Sequence, residues 1–166
     1  MKPKFASASI ALTSIVLCLG HANAADITWD TSADAGIQGG PGNWNTTTDT
    51  NWTTDDGATR TVWNDPTGTA VFGVAGGAVA VSGTINLLGI KATSGGYTVS
   101  GGALDLGSSL GSLDTVALGT TGANVFTLRS SLVGTGGLTI ASHGNLTANG
   151  GGSGARLDLT GNNTGL

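Results

Sequence analysis

Cysteine, glutamate and basic residues are scarce in this chain, and large aromatics are scarce beyond residue 75. The single cysteine, Cys18, lies near the N-terminus, so no disulfide can staple the rest of the chain. Small exported domains commonly rely on such staples. This chain must be held by something else, and continuous backbone hydrogen bonding between repeated strands would serve. Beyond residue 24 there is no cysteine and only one histidine, His143, too few donors for a zinc site. All ten acidic residues are Asp and they are scattered, which weakens any reading that needs two facing carboxylates, such as glycoside hydrolysis. Beyond residue 24, Arg60, Lys91, Arg129 and Arg156 stand against ten Asp, a net charge of −6. Such a surface offers no basic stripe for nucleic acid and no attraction to anionic membrane.

The one long apolar run is N-terminal. Lys2 and Lys4 precede Ile10 to Leu19, and Ala22-Asn23-Ala24 comes after it. A positive start, a short apolar stretch and a small-x-small site are the three parts of a secretory signal peptide. The run is shorter than the ~20 residues a bilayer span needs. Leu17 before Cys18 argues against a lipoprotein anchor there. Residues 1–24 are therefore expected to be a signal peptide, and the exported chain to start at Ala25.

What the chain has in abundance is glycine, 30 residues of it, and short alternating apolar steps. Ile85 and Leu87 recur 19 positions later as Leu104 and Leu106. Tyr97 and Val99 recur at the same spacing as Val116 and Leu118, and Leu138 and Ile140 as Leu157 and Leu159. The alternation is that of strands with one buried face, and Gly, Ser, Thr and Asn between them mark turns. A fixed period near 20 residues predicts stacked coils of a solenoid. The expected fold is all-β, a right-handed parallel β-helix, with an antiparallel β-sandwich as the alternative. Residues 76–166 are expected to form coils of about 19–22 residues. Their strands fall near 79–81, 85–90, 97–99, 103–106, 115–118, 124–128, 138–140, 145–148 and 156–159. Gly-Gly at 76–77, 95–96, 101–102 and 136–137 would turn the corners.

Residues 25–75 differ. They hold Trp29, Trp44, Trp52 and Trp63 together with Phe72. Strands are expected at Ile27–Trp29, Thr61–Trp63 and Ala70–Phe72. A solenoid end exposes an apolar face and an unpaired edge unless it is capped, and an aromatic-rich segment fits that role. The alternative is a platform of Trp faces for stacking sugars.

Little points to chemistry. His143 sits in a turn without a serine elbow around it. Arg129, Asp105 and Asp114 fall in neighbouring predicted coils, the kind of set a polysaccharide lyase uses. Gly151 to Leu159 resembles a calcium-binding nonapeptide, but Arg156 stands where the ligand Asp belongs. No catalytic, cofactor-binding or metal residues are assigned, and no cofactor is expected.

One set of motifs runs almost the whole length beyond the signal. Trp29-Asp30, Gly42-Asn43-Trp44-Asn45, Thr50-Asn51-Trp52, Val62-Trp63-Asn64-Asp65 and Ala70-Val71-Phe72 occur in that order. Leu132 to Thr139 contains Gly-x-Gly-Gly-Leu-Thr, and Leu157 to Thr164 contains Leu-x-Leu-x-Gly-x-Asn-Thr. The series resembles the N-terminal segment of bacterial proteins with autotransporter-associated β-strand repeats. The resemblance implies a non-catalytic passenger, secreted or displayed at the surface of a diderm bacterium, with a structural or adhesive role. It implies extracellular polysaccharide or other surface proteins as partners. It also implies a membrane barrel or sorting tail beyond Leu166, so that the chain would be a fragment. The alternative function is a carbohydrate-binding or polysaccharide-cleaving β-helix.

Overall fold

A computed structural model describes residues 24–118, 124–142, 145–147, 156–163 and 166. Most of the expected signal segment (residues 1–23), His143 and Gly151–Gly154 lie outside them. The described chain is all-β. The strands β1 (Asp26–Trp29), β2 (Gly42–Trp44) and β3 (Trp52–Thr53) come first, then β4 (Thr69–Phe72), β5 (Ala78–Val81) and β6 (Thr84–Asn86). Next are β7 (Gly89–Ala92), β8 (Tyr97–Ser100) and β9 (Ala103–Asp105). They are succeeded by β10 (Gly111–Asp114), a 3-10 turn (Val116–Leu118), β11 (Val125–Leu128) and β12 (Ser131–Val133). Last are β13 (Leu138–Ala141), β14 (Asn145–Thr147) and β15 (Arg156–Leu159).

From β4 to β13, every third strand joins the same sheet. The first sheet runs β3-β1-β4-β7-β10-β13, the second β2-β5-β8-β11-β15-β14, and the third β6-β9-β12. All strand pairs within them are parallel except β1 with β3. Three parallel sheets fed in rotation are solenoid-like, and they do not suit an antiparallel sandwich.

The inward positions form ladders. Ile27, Ala70, Ile90, Leu113 and Ile140 stand in register on the first sheet. Val79, Val99, Leu128 and Leu159 do so on the second, beside Tyr97, Phe126 and Leu157. Ile85, Leu104 and Leu132 line the third. Most are fully buried, and each large aliphatic contributes about 1.5–3 kcal/mol of transfer free energy.

The expected period of 19–22 residues holds in the earlier coils, where Ile85 pairs with Leu104, Ala70 with Ile90 and Val79 with Val99. In the later coils it is corrected. Tyr97 and Val99 pair with Phe126 and Leu128, 29 positions on, while Val116–Leu118 is the 3-10 turn. Leu138 and Ile140 pair back to Gly111 and Leu113 on the first sheet, whereas Leu157 and Leu159 belong to the second. The reason is energetic. Doubling the length of a surface loop costs only about 0.6 kcal/mol, whereas slipping a strand by one residue turns its whole apolar face to water. The ladder keeps its register while the corners vary in length.

Three local differences accompany it. The expected 85–90 strand is two strands, β6 and β7, with a corner at Leu87-Leu88. β10 and β12 were absent from the expectation, as were β2 and β3. Thr61–Trp63 forms only an isolated bridge, Thr61 to Trp52. The Gly136-Gly137 corner shows why glycine is needed: Gly137 has φ +83°, and a Cβ on Gly136 would lie 1.9 Å from the Ser109 carbonyl. Sheet order at the far end is also unexpected. β15 lies against β11, and β14, earlier in sequence, sits outside it.

Candidate functional site

Trp29, Trp44, Trp52 and Trp63 converge. Trp52 packs edge-on or tilted against Trp29, Trp44 and Trp63 with ring centroids 5.1, 4.7 and 4.7 Å away. Phe72 joins this cluster to Tyr97 and Phe126 at 5.2 and 5.5 Å. Edge-on and tilted pairs at these distances are favourable. All four indoles are at most 2% exposed, so no Trp face is open for a sugar to stack on. That corrects the platform alternative. The Trp29 and Trp63 indole N–H groups donate to the Gly40 and Asn86 carbonyls.

One ion pair ties the loops around this cluster. Asp30 is fully buried and its Oδ2 lies 3.0 Å from Arg60 Nη1. Its Oδ1 accepts backbone N–H bonds from Gln38 and Ser32. Tyr97 donates to the Gly73 carbonyl at 2.7 Å, and burial pushes its phenol up to about 12. In the 53–59 turn, where Asp55 itself is exposed, the Thr59 hydroxyl and backbone N–H, then the Thr53 hydroxyl, hold Asp55 down at about 2. These are anchoring contacts: each carboxylate organises its own turn.

The residues considered for lyase chemistry are not brought together. Asp105 lies on the third sheet, where it accepts the Gly107 N–H. Asp114 lies on the first and accepts the Val116 N–H. Arg129 is exposed just after β11. No ion pair or hydrogen bond joins the three, and no cluster of three or more His, Cys, Asp or Glu side chains occurs among the described residues.

Among the described residues, a groove lies at the corner between the third and first sheets. Its floor is the two-residue β6–β7 corner, Leu87-Leu88. On one side rises the segment leading into β4, and on the other the longer 106–110 corner. Two cavities of about 250 and 240 Å³ share Pro66 and Asn86. The first also touches Thr46, Trp63 and Asn64; the second reaches Asp105, Ser108 and Ser109. Sequence reasoning missed this groove because it arises from unequal corner lengths, not from any motif.

No protein-family model matches the chain, and no solved structure matches it. Over 144 residues, 85% of its length, it is 34% identical to the adhesin BmaC autotransporter of Brucella suis biovar 1 (strain 1330). That stretch is 4% of the relative, so the chain spans a small piece of a far longer protein. Parallel three-sheet coils and this likeness agree: the chain is similar to part of an autotransporter adhesin, a passenger-like relationship.

Proposed function

We propose that this chain is a surface-displayed or secreted, non-catalytic passenger segment with an adhesive or scaffolding role. The observation that carries the proposal is the 34% identity over 85% of the chain to an adhesin autotransporter. The fold supports it. Parallel coils form an elongated stack of about 4.8 Å per coil, and such a stack holds outer faces away from a cell without needing disulfides. On this reading the coils wind as a right-handed β-helix, residues 25–75 cap its first end, and residues 1–24 direct export. Burial of all four Trp side chains supports the capping role. The test is expression of the full chain in a diderm bacterium. The exported product should begin at Ala25, and beads coated with it should attach to cultured animal cells or polysaccharide-coated plates more than uncoated beads do. Retention of the product in the cytoplasm, or no gain in attachment on any surface, would refute the reading.

A further inference from the structure

We infer that the groove between the third and first sheets binds a linear, uncharged oligosaccharide. The inference rests on the adhesive reading and names the ligand class for it. Shape comes first. Each cavity, at about 250 and 240 Å³, falls below the ~300–1,000 Å³ of common small-molecule sites. Both are lined by Pro66 and Asn86, so they adjoin, and a trough of two adjoining cavities suits a ligand of several linked units better than a compact metabolite.

Chemistry comes second. The floor at Leu88 is apolar, Pro66 on one side adds apolar surface, and the rest of the lining carries amides and hydroxyls: Asn64, Asn86, Ser108 and Ser109. These four side chains make no hydrogen bond within the described chain, whereas Asn45 and Asp65 nearby are engaged in their own loops. Asn45 Oδ1 accepts from Thr47 and Thr48, and Asp65 Oδ1 accepts from the Thr67 N–H. The groove therefore offers amides and hydroxyls that are not already engaged within the fold. A sugar ring presents an apolar C–H face and a rim of hydroxyls that both donate and accept. An apolar floor between amide and hydroxyl walls is its complement.

Charge narrows the class. No Lys or Arg lines either cavity, and Asp105 stands at one end. A uronate, sulfate or phosphate group would lose water there without a cation to meet it. The competing occupant is an extended peptide added to β6, the open edge of the third sheet. That edge is three residues long and its Asn86 carbonyl already accepts the Trp63 indole, so little ladder is left for a peptide.

The experiment uses the purified full chain. Neutral hexasaccharides of glucose, galactose, mannose and N-acetylglucosamine are titrated calorimetrically, with oligogalacturonate as the acidic probe and an extended Val/Thr peptide as the third. At least one neutral chain should bind. The double variant Asn64→Ala/Asn86→Ala should weaken it by at least ~10-fold, two hydrogen bonds being lost. Ser108→Trp should block the trough, and Thr127→Ala, on the outer face of the second sheet, should leave binding unchanged. All these side chains are exposed or half-exposed, and an unchanged melting temperature checks folding. Binding by none of the neutral chains, equal binding of oligogalacturonate, preference for the peptide, or indifference to the groove variants would each overturn the inference. Bead attachment is measured in parallel. Attachment without glycan binding sinks the groove alone; glycan binding without attachment sinks the adhesive reading alone.

Discussion

Replacing Asp30 by Ala should destabilise the protein more than any other single change to a charged side chain among the described residues. The carboxylate is fully buried, meets Arg60 at 3.0 Å and accepts the Gln38 and Ser32 N–H groups. It therefore joins the loop after β1 to the segment after β3. Removing one partner of a buried pair costs about 3–5 kcal/mol. The lower end applies, because the Arg60 side chain is 21% exposed and can regain water. Of the two amides, Ser32 and its loop are half-exposed, so they too recover part of their loss. The expected cost is about 3 kcal/mol, or a fall of about 10 °C in melting temperature for a chain of this size. Asp30→Asn keeps an acceptor for the two amides but loses the charge facing Arg60, and should cost about 2 kcal/mol. The assay is thermal and urea unfolding monitored by circular dichroism, with Arg60→Ala and the double variant closing a cycle. A coupling of about 1–2 kcal/mol between the two positions is expected. If Asp30→Ala melts within a degree or two of the parent, or the coupling is zero, the pair does not join these loops.

The remaining predictions test register, pH response and backbone approach. Leu106→Asp and Leu118→Asp place an unpaired charge at buried sites and should each cost about 4 kcal/mol or more, while Ser108→Asp should stay within about 0.5 kcal/mol; similar melting for all three would refute the inward assignment. Tyr97 keeps its proton to about 12 when folded against 10.0 in the unfolded chain, so the unfolded state ionises first and stability falls as pH rises between those values. Tyr97→Phe should remove that fall, which parallel melts from pH 9 to 12 would show. Asp55, held at about 2 against an ordinary 3.8, adds stability above 3.8 that disappears as pH drops through about 2. An NMR titration should place its midpoint there, and Thr59→Val should move it upward. Gly39 has φ +71° and a Cβ there would lie 2.4 Å from the Tyr97 hydroxyl and 2.5 Å from the Ala75 carbonyl; Gly39→Ala should cost about 2 kcal/mol or more, and a neutral result would contradict the close packing at that loop.

What the sequence made legible was local. Alternating apolar steps marked Ile85, Val99 and Leu104 as inward residues, since a strand with one wet face must alternate. The clustered tryptophans marked the first segment as different, and their burial bears out that they pack rather than present their faces. Less legible was anything set by corners. β10 reads Gly-Ser-Leu-Asp, with one apolar residue among turn formers, and only its place between β7 and β13 makes it a strand. Leu113 is buried because Ile90 and Ile140 flank it in register.

The same logic explains why the period misled and why the groove was invisible. Neighbouring ladder residues are 19 apart at Ile85 and Leu104 but 28 apart at Leu104 and Leu132. Register is imposed by the buried faces and by the backbone ladder, and neither senses how much chain loops out at a corner. A period found at constant spacing therefore identifies only coils whose corners happen to match. Unequal corners defeat that search, yet they create relief on an otherwise even stack: a two-residue corner at Leu87-Leu88 beside the five residues of 106–110 leaves a trough. In these stacked parallel sheets the core is written in alternation and the surface relief in differences of loop length. Lengthening the Leu87-Leu88 corner by three small residues should accordingly fill the trough. The ladder of Ile85, Leu104 and Leu132 should keep its register, and the added loop should cost about 1 kcal/mol or less. Neutral-oligosaccharide binding should disappear while the β-sheet dichroism and urea midpoint stay close to the parent's. If binding survives, the trough is not where the ligand sits. If the fold collapses, register depends on corner length after all.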